Sequence, residues 1–238
     1  MKAILDVHCH TIVSGHAYST LEENIKGAKK NGIKYLGISD HAPNMPGGPH
    51  PFYFQNMHVI PRRVDGVAIL RGIEANIIDY NGSIDVDQEI LGRLDYVIAS
   101  LHRPCIEPGT KEENTNAILK VMDEPKVKII GHLDDSGFPV DYEPIIKKAK
   151  ERNVLLEINN SSLNTGSYRT GVKDNLKVLL EYCKKYDAKV ILGSDSHISY
   201  TIGKFDNCKG VLEEVEFPDK LIINYYEDEI VDFFGINF

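Results

Sequence analysis

Residues 127–158 read VKIIGHLDDSGFPVDYEPIIKKAKERNVLLEI. A short β-branched run, Val127-Lys128-Ile129-Ile130, leads into a polar stretch with helical spacing and then into a second run, Val154 to Ile158. Parallel strands are covered by helices on both faces, so they read as brief aliphatic runs instead of alternating patterns. The same signature recurs at Ala3-Ile4-Leu5, Tyr35 to Ile38, Val67 to Leu70, Tyr96 to Ala99 and Val190-Ile191-Leu192, which makes seven candidate strands. Helix punctuation lies between them. Ser19-x-x-Glu22 and Thr110-x-x-Glu113 have the form of capping boxes, and Gly32 sits where a C-cap belongs. Strand–helix alternation with no Pro/Ser-rich linker predicts one α/β domain over residues 1–238. No G-x-G-x-x-G follows the first run, and seven βα units fill a closed or nearly closed barrel of TIM type. Ile222-Ile223-Asn224 is a degenerate eighth candidate, followed by a helix-like segment from Glu227 to Phe234; the count stays at seven.

Composition narrows the function classes. With 42% hydrophobic and 26% charged residues, the 238-residue chain can bury a sizeable core. Its formal charge of −8 argues against a general binder of nucleic acid or anionic membrane, so an anionic ligand needs a locally positive site. The four cysteines, Cys9, Cys105, Cys183 and Cys208, form no C-x-x-C pair, which points to a reducing compartment. No apolar run of about 18 residues occurs, and the N-terminal MKAILDVHCH lacks a signal-peptide pattern, so a soluble cytoplasmic protein is expected.

The histidines carry the functional signal. His8 and His10 close the first run, His41 follows the second, Glu74 the third, His102 the fourth, His132 the fifth, and Asp195 with His197 the seventh. From His10 to His132 the intervals are 31, 33, 28 and 30 residues, and Asp195 comes 63 later, about two units on. That period is one βα unit, so each side chain lies at the carboxyl end of a strand, on the rim where barrel active sites are built. His16, in the first loop, completes nine potential ligands. Period-two alternation puts His8 and His10 on one face and turns Cys9 away, as a packed small hydrophobe. Imidazole with carboxylate suits zinc, and also manganese or iron in mixed sites. Nine ligands exceed the needs of one ion and can serve three if a carboxylate bridges, a role that falls to Glu74. Three divalent ions against two carboxylates leave about +4, which favours a polyanion such as a phosphate monoester attacked by a metal-bound hydroxide.

Together, H-x-H (His8, His10), S-D-H (Ser39 to His41), G-x-E (Gly72 to Glu74), S-x-H (Ser100 to His102), G-H (Gly131-His132) and G-S-D-S-H (Gly193 to His197) resemble the PHP superfamily, named for polymerase and histidinol phosphatase. The stretches Pro49-His50 through Pro61-Arg62, Leu70 to Ile77 and Glu157 to Ser162 look like its YcdX-like phosphatase branch. The resemblance spans nearly the whole chain. It implies a distorted (β/α)7 barrel with a trinuclear centre: one metal held by His8, His10, Glu74 and Asp195, a second by Glu74, His102 and His132, a third by His16, His41 and His197. Zinc is the first expectation, with manganese or iron at one or more sites as alternatives. Arg103-Pro104 and Leu133-Asp134-Asp135, beside two ligands, depart from the family pattern and bear on substrate preference.

Residues near the ligands have two readings each. Arg103, grouped with Glu74 and Asp195 as catalytic, either grips a substrate phosphate or forms a surface salt bridge. Arg62 or Arg63 closes over the pocket from the irregular segment 42–63, which is either a lid or a surface excursion. Asp40 orients an imidazole or caps the segment after it. His50 and His58 fall away from strand ends and are read as structural, and the polar cluster Asn159 to Ser162 opens a second long loop. The expected partner is a small phosphorylated metabolite, with no nucleic acid or membrane; a homo-oligomer stays open. A phosphodiesterase or nuclease, an amidohydrolase, and a metal-binding regulator without turnover are the competing readings. An amidohydrolase would carry a bridging lysine where the fourth strand ends in Ser-Leu-His102.

Overall fold

In the computed structural model, which describes residues 1–238, strand and helix alternate as the runs imply. In chain order the elements are β1 (Leu5–Asp6), α1 (Leu21–Asn31), β2 (Tyr35–Ile38), α2 (Phe52–Gln55), β3 (Arg63–Val64), β4 (Val67–Asn76), α3 (Gln88–Leu91) and β5 (Tyr96–Ser100). They continue with α4 (Lys111–Val121), β6 (Val127–Ile130), α5 (Tyr142–Arg152), β7 (Leu155–Asn159), α6 (Val172–Tyr186), β8 (Val190–Gly193), α7 (Asp206–Glu214) and α8 (Glu227–Phe234). Seven parallel strands pair in the order β1-β2-β4-β5-β6-β7-β8, and β3 adds a short antiparallel edge to β4. The sheet curls into a nearly closed TIM-like barrel. No helix is long and apolar enough to cross a membrane.

Local signals place the helices. Thr110 and Glu113 form the capping box of α4, and Gly32 ends α1 at φ 79°. The box at α1 lies one residue later than the sequence suggests: Thr20 and Glu23 exchange the two capping bonds, and the Ser19 hydroxyl accepts from the amide of Ser199. Thr20 wins because its side chain reaches the amide of the third helical residue, which fixes it as N-cap.

The seam between β1 and β8 has two different closures. At the carboxyl end, Cys9 and Ser196 form a parallel bridge, with the His10 amide donating to the Ser196 carbonyl at 2.8 Å. At the other end, Ile222 makes only a single bridge to Val190, and the chain turns into a 3-10 segment, Ile223–Tyr225, in place of an eighth strand. Asn224 substitutes for that strand. Its Oδ1 accepts from the Leu192 amide at 2.8 Å, its Nδ2 donates to the carbonyls of Leu192 (2.9 Å) and Leu5 (3.0 Å), and its carbonyl accepts from the Ile4 amide at 2.9 Å.

Two apolar layers flank the sheet. An outer layer packs strands against helices, and Cys9 belongs to it, its thiol turned to the Gly37 carbonyl as alternation requires. An inner layer fills the barrel with Leu5, Leu70, Tyr96, Ile98 and Ile191, and α8 plugs the lower mouth with Phe233 and Phe234. Tyr96 lies across the barrel and donates to the Val7 carbonyl at 2.7 Å. Gly72 makes room for it: a Cβ there would lie 2.2 Å from the Tyr96 ring. Below the rim, the barrel is therefore solid, and only the carboxyl ends of the strands can bind a ligand.

The seam yields a stability prediction. Asn224→Ala removes three buried side-chain hydrogen bonds and leaves backbone groups of Leu5 and Leu192 unpaired, at a cost of about 3 kcal/mol. A urea midpoint indistinguishable from that of the parent would show that Asn224 does not close the barrel.

Candidate metal centre

At the rim, β4 runs on through Asn76, so Glu74 projects from within the strand and not from the loop after it. Its buried carboxylate is the hub. Oε1 lies 3.3 Å from His8 Nε2, 3.2 Å from His102 Nε2 and 3.0 Å from His132 Nε2, and Oε2 lies 2.7 Å from His41 Nδ1 and 3.6 Å from His10 Nε2. Asp195 forms a second centre, with Oδ1 3.2 Å from His10 Nε2, 3.6 Å from His8 Nε2 and 3.6 Å from His197 Nδ1. His16 stacks on His41 and His197, with ring centroids 4.9 and 4.7 Å away. All nine residues thus come together in one cluster.

The imidazoles are aimed from behind. His8 Nδ1 is bonded to Glu157 Oε1 at 2.6 Å, His102 Nδ1 to Asn76 Oδ1 at 2.7 Å, and His197 Nδ1 to the Asp195 carbonyl at 3.1 Å. His10 Nδ1 meets the Ser14 hydroxyl at 3.3 Å, and that hydroxyl donates onward to Asp40. Donation from Nδ1 fixes the tautomer whose Nε2 carries a lone pair towards the cluster. Asp40 therefore touches no imidazole itself. It holds the amide and hydroxyl of Thr11, the hydroxyl of Ser14 and the Tyr53 hydroxyl at 2.6 Å, tying the first loop to segment 42–63.

Lone pairs converging on carboxylates leave buried atoms without partners. His8 Nε2, His10 Nε2, His41 Nδ1 and Glu74 Oε2 are all buried and accept or donate no hydrogen bond. Each such orphan costs about 1–3 kcal/mol, and nearly all buried polar groups avoid that state. Divalent cations shared among these groups would satisfy all four, so the donor set fits metal. Ligating atoms of His8, His10 and Glu74, of His41, Glu74 and His102, and of His10, His41 and His197 lie within 4.8 Å of one another in each group. His10 thus stands between the site implied for it and the one implied for His41 and His197.

Electrostatics keep the acids charged. Burial alone would raise the pKa of Glu74, but His102, His8 and His41 outweigh it and hold the carboxyl well below its usual range. The same opposition, with His8, His10, His197 and Arg169 winning, depresses Asp195. Burial pushes His102 down to about 4, and burial with the neighbouring His41 and His197 pushes His10 down, whereas at His8 burial is outweighed by Glu157, Glu74 and Asp195, which raise it well above its usual range, so a metal taken up there would displace a proton. Two donors also sit on strained backbone, His132 at φ 28° and Asp195 at φ 51°.

Several expectations need correction. Arg62 pairs with Asp95, and Arg63 reaches the carbonyls of Gly66 and Phe238, so both lie at the opposite end of the barrel from the rim. Segment 42–63 is pinned by buried Phe54 and Met57 and gives the cleft only Met45 and Pro46. His50 and His58 make local backbone contacts, consistent with the structural reading. Arg103 is exposed on the cleft wall without an ion pair, its guanidinium 5.8 Å from the Phe138 ring.

Two residues were missed. Glu157 is buried and also accepts the His132 amide at 2.9 Å, so one carboxylate fixes both a ligand's tautomer and the strained turn. A Cβ on Gly193 would lie 1.8 Å from its Oε1, which explains the glycine in that motif. An acid inside an otherwise aliphatic strand was the available signal. Arg169 lies buried at the cleft edge, with Nη1 2.9 Å from the Ser162 hydroxyl and 3.5 Å from Asp195 Oδ2.

The PHP domain family profile matches residues 6–161. A probable phosphatase of Clostridium acetobutylicum is 53% identical over 233 residues, covering 98% of this chain and 95% of that protein. A probable phosphatase of Acetivibrio thermocellus is 47% identical over 224 residues, covering 94% and 92%. Among solved structures, histidinol phosphate phosphatase of Lactococcus lactis, complexed with zinc, L-histidinol and phosphate, superposes with TM-score 0.62 at 17% identity over 92% of this chain and 95% of that one. That likeness establishes the barrel fold alone.

Replacing the supporting carboxylate gives a direct check. Glu157→Gln should weaken metal retention roughly 10-fold or more in competition with a chromogenic chelator while the far-ultraviolet spectrum is kept. Unchanged retention would remove Glu157 from the centre.

Proposed function

The chain belongs to the PHP domain family, and from that premise we propose that it is a metal-dependent phosphatase acting on small phosphate monoesters. The observation that carries the reading is the set of three orphaned imidazole nitrogens, of His8, His10 and His41, gathered with the orphaned Oε2 of Glu74 at the open end of the barrel. The probable phosphatases that match nearly the full chain support the activity, and the zinc and phosphate of the Lactococcus structure support the chemistry. Three divalent ions, zinc first, are the proposed complement. His8, His10, Glu74 and Asp195 would hold one, Glu74, His102 and His132 a second, and His16, His41 and His197 a third. Such ions supply positive charge to phosphoryl oxygens and lower the pKa of water.

The chain's own residues do the rest. Glu74 and Asp195, kept ionised, would offset part of the charge of the cations that the seven imidazoles gather. Arg169, anchored by Ser162, and Arg103, free on the wall, offer guanidinium forks to the non-bridging oxygens of a phosphate. In the net reaction a water oxygen bonds to phosphorus, the ester oxygen–phosphorus bond breaks, and the alcohol leaves with a proton. We place the enzyme in the cytoplasm, a reading supported by four free cysteines.

Elemental analysis of protein purified without chelator, paired with p-nitrophenyl phosphate hydrolysis before and after chelation, tests this reading. About three metals per chain and chelator-sensitive turnover are expected. Glu74→Ala and His41→Ala should each cut turnover by about 100-fold or more. Full hydrolysis by either variant would overturn the trinuclear centre, and metal binding with no turnover at any load would leave a binding protein.

A further inference from the structure

The cleft above the histidines is much larger than a phosphate. Its volume is about 740 Å³, and the histidine cluster forms only its floor. The loop after β7 builds one side, with Ser161, Asn164, Thr165 and Ser167, and Tyr168 stands on it largely exposed. Met45, Pro46, Pro104 and the Tyr168 ring supply its apolar surface.

The chemistry of this wall is neutral and hydrogen-bonding. The hydroxyls of Ser161 and Thr165 have no partner within the protein. Asn164 Oδ1 is engaged by Asn207 Nδ2 at 2.8 Å, and Asn207 is itself bonded to Asn160, which fixes the amide and leaves Asn164 Nδ2 free to donate. Arg169, whose Nη1 bonds Ser162, ties the end of the loop back to its beginning. Rigid support of this kind is what a recognition surface needs, because little freedom is lost on binding.

What the cleft lacks is equally selective. Its only acids are Glu74 and Asp195, both committed to the imidazole cluster. Asp135, in the small recess behind Arg103 and Arg169, accepts the amides of Gly137 and Thr170. An ammonium group on the alcohol would therefore meet two guanidiniums and no free carboxylate. An apolar alcohol would find carbon to pack against but would leave the Ser161 and Thr165 hydroxyls and the Asn164 amide unpaired.

We propose that the alcohol half of the ester is a neutral polyhydroxylated group, so that the substrates are sugar or polyol monophosphates, with the loop of residues 161–167 reading the hydroxyls. This rests on the phosphatase reading above and names the class of ester that reading leaves open. Hydroxyl recognition discriminates strongly, because a polar wall facing an alcohol without hydroxyls leaves its own groups unpaired.

The test compares kcat/KM of the metal-reconstituted protein on sorbitol 6-phosphate, glucose 6-phosphate, L-histidinol phosphate and hexyl phosphate, with p-nitrophenyl phosphate as reference. At least one of the two polyhydroxylated esters should exceed both histidinol phosphate and hexyl phosphate by about 10-fold or more. The double variant Asn164→Leu, Thr165→Val should lower the ratio of its kcat/KM to that of p-nitrophenyl phosphate by about 10-fold. Turnover of p-nitrophenyl phosphate with histidinol or hexyl phosphate equal or better would overturn the proposal and leave the phosphatase standing. An unchanged ratio in the double variant would overturn the role of the loop. No turnover of any ester would bring down both.

Discussion

A buried carboxylate facing five imidazoles is a demanding object. Glu74 is 1% exposed, and in a low-dielectric interior its charge must be matched or the fold pays several kcal/mol. The match comes from five separate places in the chain, His8, His10, His41, His102 and His132, which only a closed parallel barrel brings to one point. The fold and the centre are therefore mutually dependent. The barrel supplies convergence, and a cation among the lone pairs would relieve the cost of having converged them.

Around that hub the protein spends further buried polar groups on orientation. Glu157, Asn76 and Ser14 each engage the Nδ1 of one histidine, so Nε2 is left facing inward. Asp40 serves at one remove, through Ser14, and also anchors Tyr53 of the long segment. Ser100, which donates to Glu74 at 2.8 Å, completes the enclosure. Such a network is useful only when fully satisfied, and its open positions are those that point at the centre.

The barrel and the nine clustered residues were legible because each depends on local information. An aliphatic run marks a strand, and a histidine directly after it lies at that strand's carboxyl end whatever the distant sequence does. The supporting residues were harder to see. Glu157 matters through His8, 149 residues away, and Asn224 through Leu5, 219 residues away, so neither role is written in its own neighbourhood. Arg62 and Arg63 misled for the same reason: a basic pair in an irregular loop near the rim looks available, but the segment descends the barrel wall and Asp95 captures the first of them. The shift of the first capping box from Ser19 to Thr20 reflects competition between adjacent hydroxyls, which three-dimensional context alone resolves.

The seam between β1 and β8 also governs when the molecule can come into being. Synthesis delivers Leu5, His8 and His10 first and Asn224 and the plugging helix last, yet the bonds that close the barrel join exactly these extremes. A chain still emerging from the ribosome can pair β1 with β2, β2 with β4 and β5 with β6, but the other edge of β1 waits for β8 and the segment that carries Asn224. Since His8 and His10 stand on one side of that seam and Asp195 on the other, the nine clustered residues meet only once the chain through β8 has folded back onto β1. Closure of the cluster is thus a late step in folding, set by the docking of the chain's last third onto its first strand.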